Sequence, residues 1–340
     1  MITLRSDIGG GPKHLYDLAN NLSSTTVYIA APLEEPFGEK FKALSEKFFP
    51  LKHRSFSLLT LMRLVYFCKN EDIDIVHSHG RGAGLYSRLI SFFGMKVVHT
   101  FHGAHFEDTI VGRVKLMLDK ILKYACDDYI CVSNDEYIKA KELAIIGNNK
   151  VSVINNGVSI PREQEPLVLD VDEEDIVFGT LARLSYQKGI DILLNELATH
   201  DFPKNWKFLI AGSGEDQAKI ENLIKEKELE NNVKLMGKTT KPLRFLSSID
   251  IYFSTSRWEG LPIAVLEAMS LSKPCVLSNV DGHKVLDRSE YSVLLYEDFV
   301  ESCKKVINEK DKYAAGAMKC VKENFSLEKM CRETEQVYYE

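Results

Sequence analysis

"DIYFSTSRWEGLPIAVLEAMSLSKPCVLSN" occupies residues 250–279 and holds three elements in a row. "DIYFSTS" and "KPCVLSN" are short apolar runs ending in polar residues, the form of buried strands. Between them Gly260 permits an unusual backbone angle, Pro262 suits the first turn of a helix, and "IAVLEAMS" continues it. Strand, helix, strand in this order means a right-handed crossover between parallel strands, with helices covering both faces of the sheet.

The same unit recurs throughout the chain. "TTVYIAAP" (25–32), "DIDIVHSHG" (72–80), "MKVVHTFHG" (95–103), "DDYICVS" (127–133) and "KVSVINNG" (150–157) read as strands. "GPKHLYDLANNL", "GAGLYSRLISFFG" and "VGRVKLMLDKILKYAC" read as helices among them. After residue 170 the rhythm restarts with "DIVFGTLARL", "WKFLIAGSG" and "NNVKLMGK". Two such series predict an α/β protein of two doubly wound, Rossmann-like domains. Residues 155–175 lose periodicity and gain proline and acid, so the seam falls there, with domains at 1–160 and 161–324. Residues 325–340 read as a last helix with Ser326 as N-cap. Ligands of open α/β sheets bind beyond the carboxyl ends of the strands, which predicts an active site in a cleft where the two domains face each other.

Composition narrows the class. The 340 residues suit two domains, 45% are hydrophobic and 27% charged, and the net charge of −6 gives no general pull toward nucleic acid. The seven cysteines are scattered, without a CxxC pair, as in a reducing compartment. "MITLRSDIGGG" has no apolar signal core, and no run reaches the roughly 18 apolar residues of a membrane span. The expectation is a cytoplasmic protein.

Several residues at the strand ends carry chemistry. Glu259 and Glu267 lie eight positions apart, one before the Gly/Pro turn and one inside the helix that follows. The start of that helix can hold an anion such as a diphosphate, and the carboxylates can accept hydrogen bonds from sugar hydroxyls. Arg183 and Lys188 follow the first strand of the second half, where two cations make a phosphate clamp. Singly, each is more often a surface charge. In "DIGGGPKHL" (7–15), Gly10 and Gly11 precede a helix and let backbone amides approach a ligand. "AGSG" (211–214) continues with Gln217 in place of a third glycine, so the dinucleotide fingerprint fails. His77, His79, His99, His102 and His105 cluster in sequence, but without HExxH or an interleaved cysteine. No metal is expected among them; His102, at a strand tip, is the one expected to be functional.

Together these residues resemble one family. The E-x7-E stretch, Arg183 and Lys188 after "FGTLARL", the N-terminal glycine loop, "TFHG" and "VINNGV" look like retaining glycosyltransferases of family 4, which have the GT-B fold. The resemblance runs through nearly the whole chain. It implies a sugar transferred with retention from a nucleotide-diphosphate sugar, UDP favoured, to a saccharide or lipid-linked saccharide, as in surface polysaccharide assembly. No metal or other cofactor is implied. Arg183 and Lys188 would neutralise the diphosphate. Glu259 would meet the donor sugar, aided by the backbone of Gly260, Leu261, Pro262 and Ile263. Glu267 would hold the ribose. Gly10 and Gly11 would approach the phosphates, and His102 would lie by the transferred sugar. The last helix would pack back onto the N-terminal, acceptor-side domain. "NVDGHKVL" (279–286) departs from the family, with His283 and Lys284 where a small residue and an acid are usual. The first strand, almost on the glycine loop, is expected to be unusually short.

Residues 40–69 hold seven Lys/Arg against Glu46, and residues 113–123 hold four against Asp119. Interleaved with Phe and Leu, these stretches suit docking on an anionic membrane at its inner face. Competing functions stay open: a non-catalytic nucleotide-sugar-binding subunit, or an epimerase or phosphorylase of the same fold. An NAD-linked oxidoreductase would need the full glycine fingerprint.

Overall fold

The computed structural model describes residues 1–103, 109–147, 149–162, 164–199 and 205–339. They form two compact units, Met1–Asn156 with Leu327–Glu340, and Gly157–Ser326. The crossings at 156/157 and 326/327 lie a few residues from the seams expected at 160/161 and 324/325. Val158 is the reason on one side: its N–H donates to the Phe325 carbonyl at 2.9 Å, and it bridges Ser326. On the other side, Asn156 is held by His14.

The first unit runs β1 (Ile2–Thr3), α1 (Gly10–Asn21), β2 (Ile29–Ala31), α2 (Gly38–Leu44), β3 (Phe48–Pro50), α3 (Leu58–Asn70), β4 (Ile75–His79), α4 (Arg81–Ser91), β5 (Lys96–Thr100), α5 (Ile110–Ile121), β6 (Asp128–Cys131), α6 (Asn134–Glu142) and β7 (Lys150–Val153). Its strands are parallel in the order β3-β2-β1-β4-β5-β6-β7. The second unit runs β8 (Ile176–Leu181), α7 (Ile190–Thr199), β9 (Trp206–Ala211), α8 (Gln217–Glu226), β10 (Val233–Gly237), α9 (Pro242–Ser247), β11 (Ile251–Ser254), α10 (Ile263–Ser270), β12 (Cys275–Ser278), α11 (Asp281–Lys284), β13 (Leu294–Tyr296), α12 (Phe299–Asn308) and α13 (Lys310–Asn324). Its order is β10-β9-β8-β11-β12-β13, again parallel. The strand order reverses at β1/β4 in one sheet and at β8/β11 in the other. Successive loops diverge at these points and leave a crevice at the carboxyl edge.

Residues of β4 alternate between the two faces of the first sheet. Val76 joins a core with Leu61, Leu64 and Val65 of α3 and Tyr86 and Ile90 of α4. His77 turns the other way and meets Tyr338 of α14 (Leu327–Tyr339). That helix buries Leu327, Met330 and Val337 against Leu18, Val98 and Ile130. Glu335 fixes it further by accepting the Ser23 and Ser24 amides, both at 3.1 Å. The seven cysteines are free and buried.

The stretch singled out for its charge also contains regular structure that charge alone does not announce: most of α2, all of β3, and all of α3 but Asn70. Helix α3, capped by the Ser57 side chain on the Thr60 amide, buries Leu61, Leu64, Val65 and Cys68. Its outer side carries Leu58, Leu59, Met62 and Tyr66, the last 72% exposed. Helix α5 likewise exposes Ile110, Val111, Val114, Met117 and Ile121, with Ile110 at 84%. Two pairings reduce the charge excess there, Lys47 with Glu71 and Lys42 with Glu39, just outside the counted range. No helix among the described residues is long and apolar enough to cross a membrane.

The buried phenol of Tyr338 meets His77 Nδ1 at 2.6 Å, while His77 Nε2 meets Thr100 Oγ1 at 2.7 Å. Removing the hydroxyl leaves a buried imidazole nitrogen without its partner, so Tyr338→Phe is expected to lower the unfolding free energy by roughly 1–3 kcal/mol. Urea unfolding of the variant beside the parent protein measures this; equal midpoints would show that the phenol adds nothing.

Candidate active site

In the second unit the loops after β8 and β11 emerge side by side, because Ile251 and Tyr252 pair with Phe178 and Gly179. Lys188, from the first loop, places Nζ 2.5 Å from Oε1 of Glu259, from the second. The Ser256 hydroxyl donates to the same oxygen at 2.6 Å. Glu259 is nearly buried. Burial pushes its carboxyl up, but Lys188, His283 and Ser256 outweigh that and hold it below its ordinary value. The site therefore keeps a buried carboxylate charged at neutral pH.

The two loops brace each other by backbone and side chain. Arg257 N–H donates to the Gln187 carbonyl at 2.8 Å, Gln187 Nε2 to the Trp258 carbonyl at 3.1 Å, and Thr255 Oγ1 to the Gly189 carbonyl at 2.9 Å. The Arg257 guanidinium pairs with both oxygens of Asp191 and lies 4.0 Å over the Tyr186 ring. That pair holds the Asp191 carboxyl at about 2. Gly189 has φ +63°, and a Cβ there would fall 2.1 Å from the Thr255 carbonyl oxygen. Only glycine lets these loops approach so closely.

Helix α10 starts beside this pair. Pro262 is its N-cap, one position earlier than expected, and offers no side-chain cap; no acid lies in the first turn. Its leading amides and dipole are thus available to an anion. Glu267 is buried within α10, and Leu261 and Ile263 are buried at its start. Gly282 of α11 sits so close to the Glu259–Gly260 backbone that a Cβ would come within 2.4 Å of the Gly260 oxygen. His283 Nδ1 donates to the Ser278 carbonyl at 2.8 Å, which leaves Nε2 buried and without a hydrogen bond.

Arg183 has a different acidic partner from Lys188. Its guanidinium pairs with Glu215, from the loop after β9, at 3.0 Å, and both side chains are largely exposed. Glu215 belongs to "AGSGED", a stretch that loses its interest in the sequence once the glycine fingerprint fails. Ser256 joins the pair without a signal that the sequence motifs carry, although it lies three positions before Glu259, and His283, which the sequence marks only as a departure from the family, stands beside it.

In the first unit, Gly10 and Gly11 form the start of α1, whose N-cap, Gly9, has no capping side chain. The His102 ring lies against Gly11, 3.6 Å from where a Cβ would stand. It also meets His14 edge-on at 4.7 Å between centroids and stacks with His79 at 5.5 Å. His14, from α1, stands outside the histidine cluster of the sequence. His99 is bonded through Nδ1 to Ser78 at 2.9 Å, and His77 is held as described, so both are core residues. His105 lies outside the described residues. Burial depresses the pKa of His14 to about 4 and those of His79 and His102 well below 6.5, so all three rings are neutral at pH 7.

Two family models divide the chain, Glycosyltransferase Family 4 over residues 8–162 and Glycosyl transferases group 1 over residues 161–315. The UDP-Gal:alpha-D-GlcNAc-diphosphoundecaprenol alpha-1,3-galactosyltransferase of Escherichia coli is 30% identical over 309 residues, covering 83% of this chain and 79% of its own. The chain belongs to glycosyltransferase family 4. Another E. coli relative of this glycosyltransferase, the O-antigen biosynthesis glycosyltransferase WclY, is 25% identical over 61% of each chain. HepE of Anabaena, solved with UDP and glucose, matches with a TM-score of 0.83 over 99% of this chain and 98% of its own. At 17% identity that likeness is one of fold, the two-domain GT-B fold.

The Lys188–Glu259 pair makes a direct prediction for the glycosyltransferase. Lys188→Ala strands a buried carboxylate and is expected to cost roughly 3–5 kcal/mol. Glu259→Gln in the same chain should return much of it. A double-mutant cycle by chemical denaturation reads the coupling, and strictly additive costs would mean the two charges do not sense each other.

Proposed function

We propose that this glycosyltransferase moves a sugar from a UDP-sugar to a saccharide or lipid-linked saccharide, with retention at the anomeric carbon and without a divalent metal. The observation carrying the donor side is the Lys188–Glu259 pair at the start of uncapped α10. On this reading a diphosphate takes Lys188 as its partner, with Arg183 and the leading amides of Gly260, Leu261 and Ile263 sharing its charge. Glu259, released from Lys188, accepts hydrogen bonds from the sugar, and Glu267 from the ribose. Charge growing on the leaving diphosphate is what this arrangement stabilises, and preorganised electrostatics of this kind commonly contributes more to catalysis than any other single effect. The second unit is thus the donor domain. Gly10, Gly11 and His102 serve the phosphates and the transferred sugar from the first, acceptor-side unit. UDP as carrier and a lipid-linked acceptor are supported by the E. coli relative's name; retention and metal independence are supported by family membership.

We further place the enzyme at the inner face of a membrane. Helices α3, α4 and α5 pack on one face of the first sheet, and α3 and α5 turn apolar residues to solvent beside Arg63, Arg113, Lys115 and Lys120. An apolar side rimmed by Lys and Arg suits an anionic lipid surface.

Thermal shift with UDP, GDP, ADP and NAD tests the donor side. At ~100 times its dissociation constant a ligand adds about 2.7 kcal/mol, so stabilisation by UDP alone, lost in Arg183→Ala, is expected. Glu259→Ala should abolish transfer while circular dichroism stays unchanged; near-normal transfer by that variant, or stabilisation by NAD alone, would sink the reading. For the membrane, Leu59→Glu with Ile110→Glu should release the protein from vesicles of anionic lipid. A parent protein that never sediments with them would end that part of the proposal.

A further inference from the structure

We infer that His14, His79 and His102 form a binding site for one divalent transition metal of borderline softness, zinc foremost, in the first unit. The three residues come from α1, the end of β4 and the loop after β5, and each offers a ring nitrogen, all within 4.8 Å of one another. His79 Nδ1 and His102 Nε2 already stand 3.3 Å apart. Two nitrogens each about 2.0–2.1 Å from a tetrahedral zinc are separated by about that much. His14 Nδ1 meets Asn156 Oδ1 at 2.9 Å, which assigns its proton to Nδ1 and its lone pair to Nε2. A backing hydrogen bond of this kind is what orients a ligating histidine. His79 turns Nδ1 toward the group, and its Nε2, buried and without a hydrogen-bond partner, is not the ligating atom.

Donor chemistry selects the ion. Three imidazoles without a carboxylate suit zinc, copper, nickel or cobalt and offer little to magnesium or calcium. Only the neutral imidazole form binds metal. A fourth position remains for water or an anion. The clustered histidines alone give no reason to expect a metal, because the third ligand, His14, lies more than sixty residues upstream in α1. The consequence for transfer, which rests on the function proposed above, is inhibition: metal-bound His102 is withheld from the sugar.

The metal itself is the probe. Protein stripped with EDTA and titrated with Co²⁺ should give a visible band characteristic of nitrogen-ligated, near-tetrahedral cobalt, saturating at one equivalent and displaced by Zn²⁺. His14→Gln and His102→Asn should each weaken binding at least tenfold, and Asn156→Ala, which removes the hydrogen bond behind His14, by about 10–100-fold. His53→Ala should leave the titration unchanged. Circular dichroism of each variant separates lost binding from lost fold, and the Asn156 variant keeps all three ligands. Absence of the band in the parent protein together with no Zn²⁺-dependent shift in Tm would overturn the inference, as would a band that survives both His14→Gln and His102→Asn. These readouts need no donor or acceptor, so they stand whether or not Zn²⁺ slows transfer.

Discussion

A carboxylate buried as Glu259 is can stay charged only while a cation answers it, and Lys188 does so at 2.5 Å. Much of the second unit's carboxyl edge follows from keeping these two groups together. They come from loops about seventy residues apart in sequence, so their meeting requires β8 and β11 to be neighbours, which the order of the parallel sheet supplies. The loops must then approach to backbone contact, which only glycine permits at 189. Arg257, clamped on Asp191 and laid over Tyr186, keeps that contact from opening. The loop that carries Glu259 leads directly into α10, so the same constraint sets the carboxylate beside unpaired helix amides.

The parallel sheets were legible because a strand covered on both faces must be apolar along its length, and runs such as "VFGTL" and "YICV", too short for helices and alternating with helical stretches, read as such strands. Glu259, Lys188 and their sheet neighbourhood were legible for the same reason, since a polar residue just past such a run stands at the carboxyl edge. Legibility failed where the partner was distant or the element short. β3 and β13 are three residues each, too brief for a period. His14 reads as one polar residue in an ordinary amphipathic helix, and only the fold brings it to His79 and His102. Glu215 was hidden behind a motif that failed for another ligand. Pairing decided by a loop's path carries no local signature.

The first unit uses polar residues inside its core where the second mostly uses aromatic rings. His77, His99, Ser78, Ser87 and Thr100 are buried and bonded to one another or to Tyr338, whereas Phe178, Phe208 and Phe253 pack ring to ring in the other sheet. Arg88, fully buried, is answered by Asp119, which also takes Arg81 from the start of α4. Asp119 belongs to α5, so the one acid in that basic segment faces inward, which leaves the helix's solvent side basic and apolar. The charge count along the sequence is therefore less informative than the direction in which each charge points.

Helix α14 has a consequence for how the chain is made. It follows the whole of the second unit in the order of synthesis, yet it supplies the first unit's Tyr338, Val337 and Met330. Until α14 is made, the first unit has part of one sheet face uncovered and His77 without Tyr338 at its Nδ1. Its last layer arrives only after the second unit has been polymerised. The second unit, continuous in sequence, can close while the first still waits, so vectorial synthesis does not here mean that the amino-terminal unit is finished first.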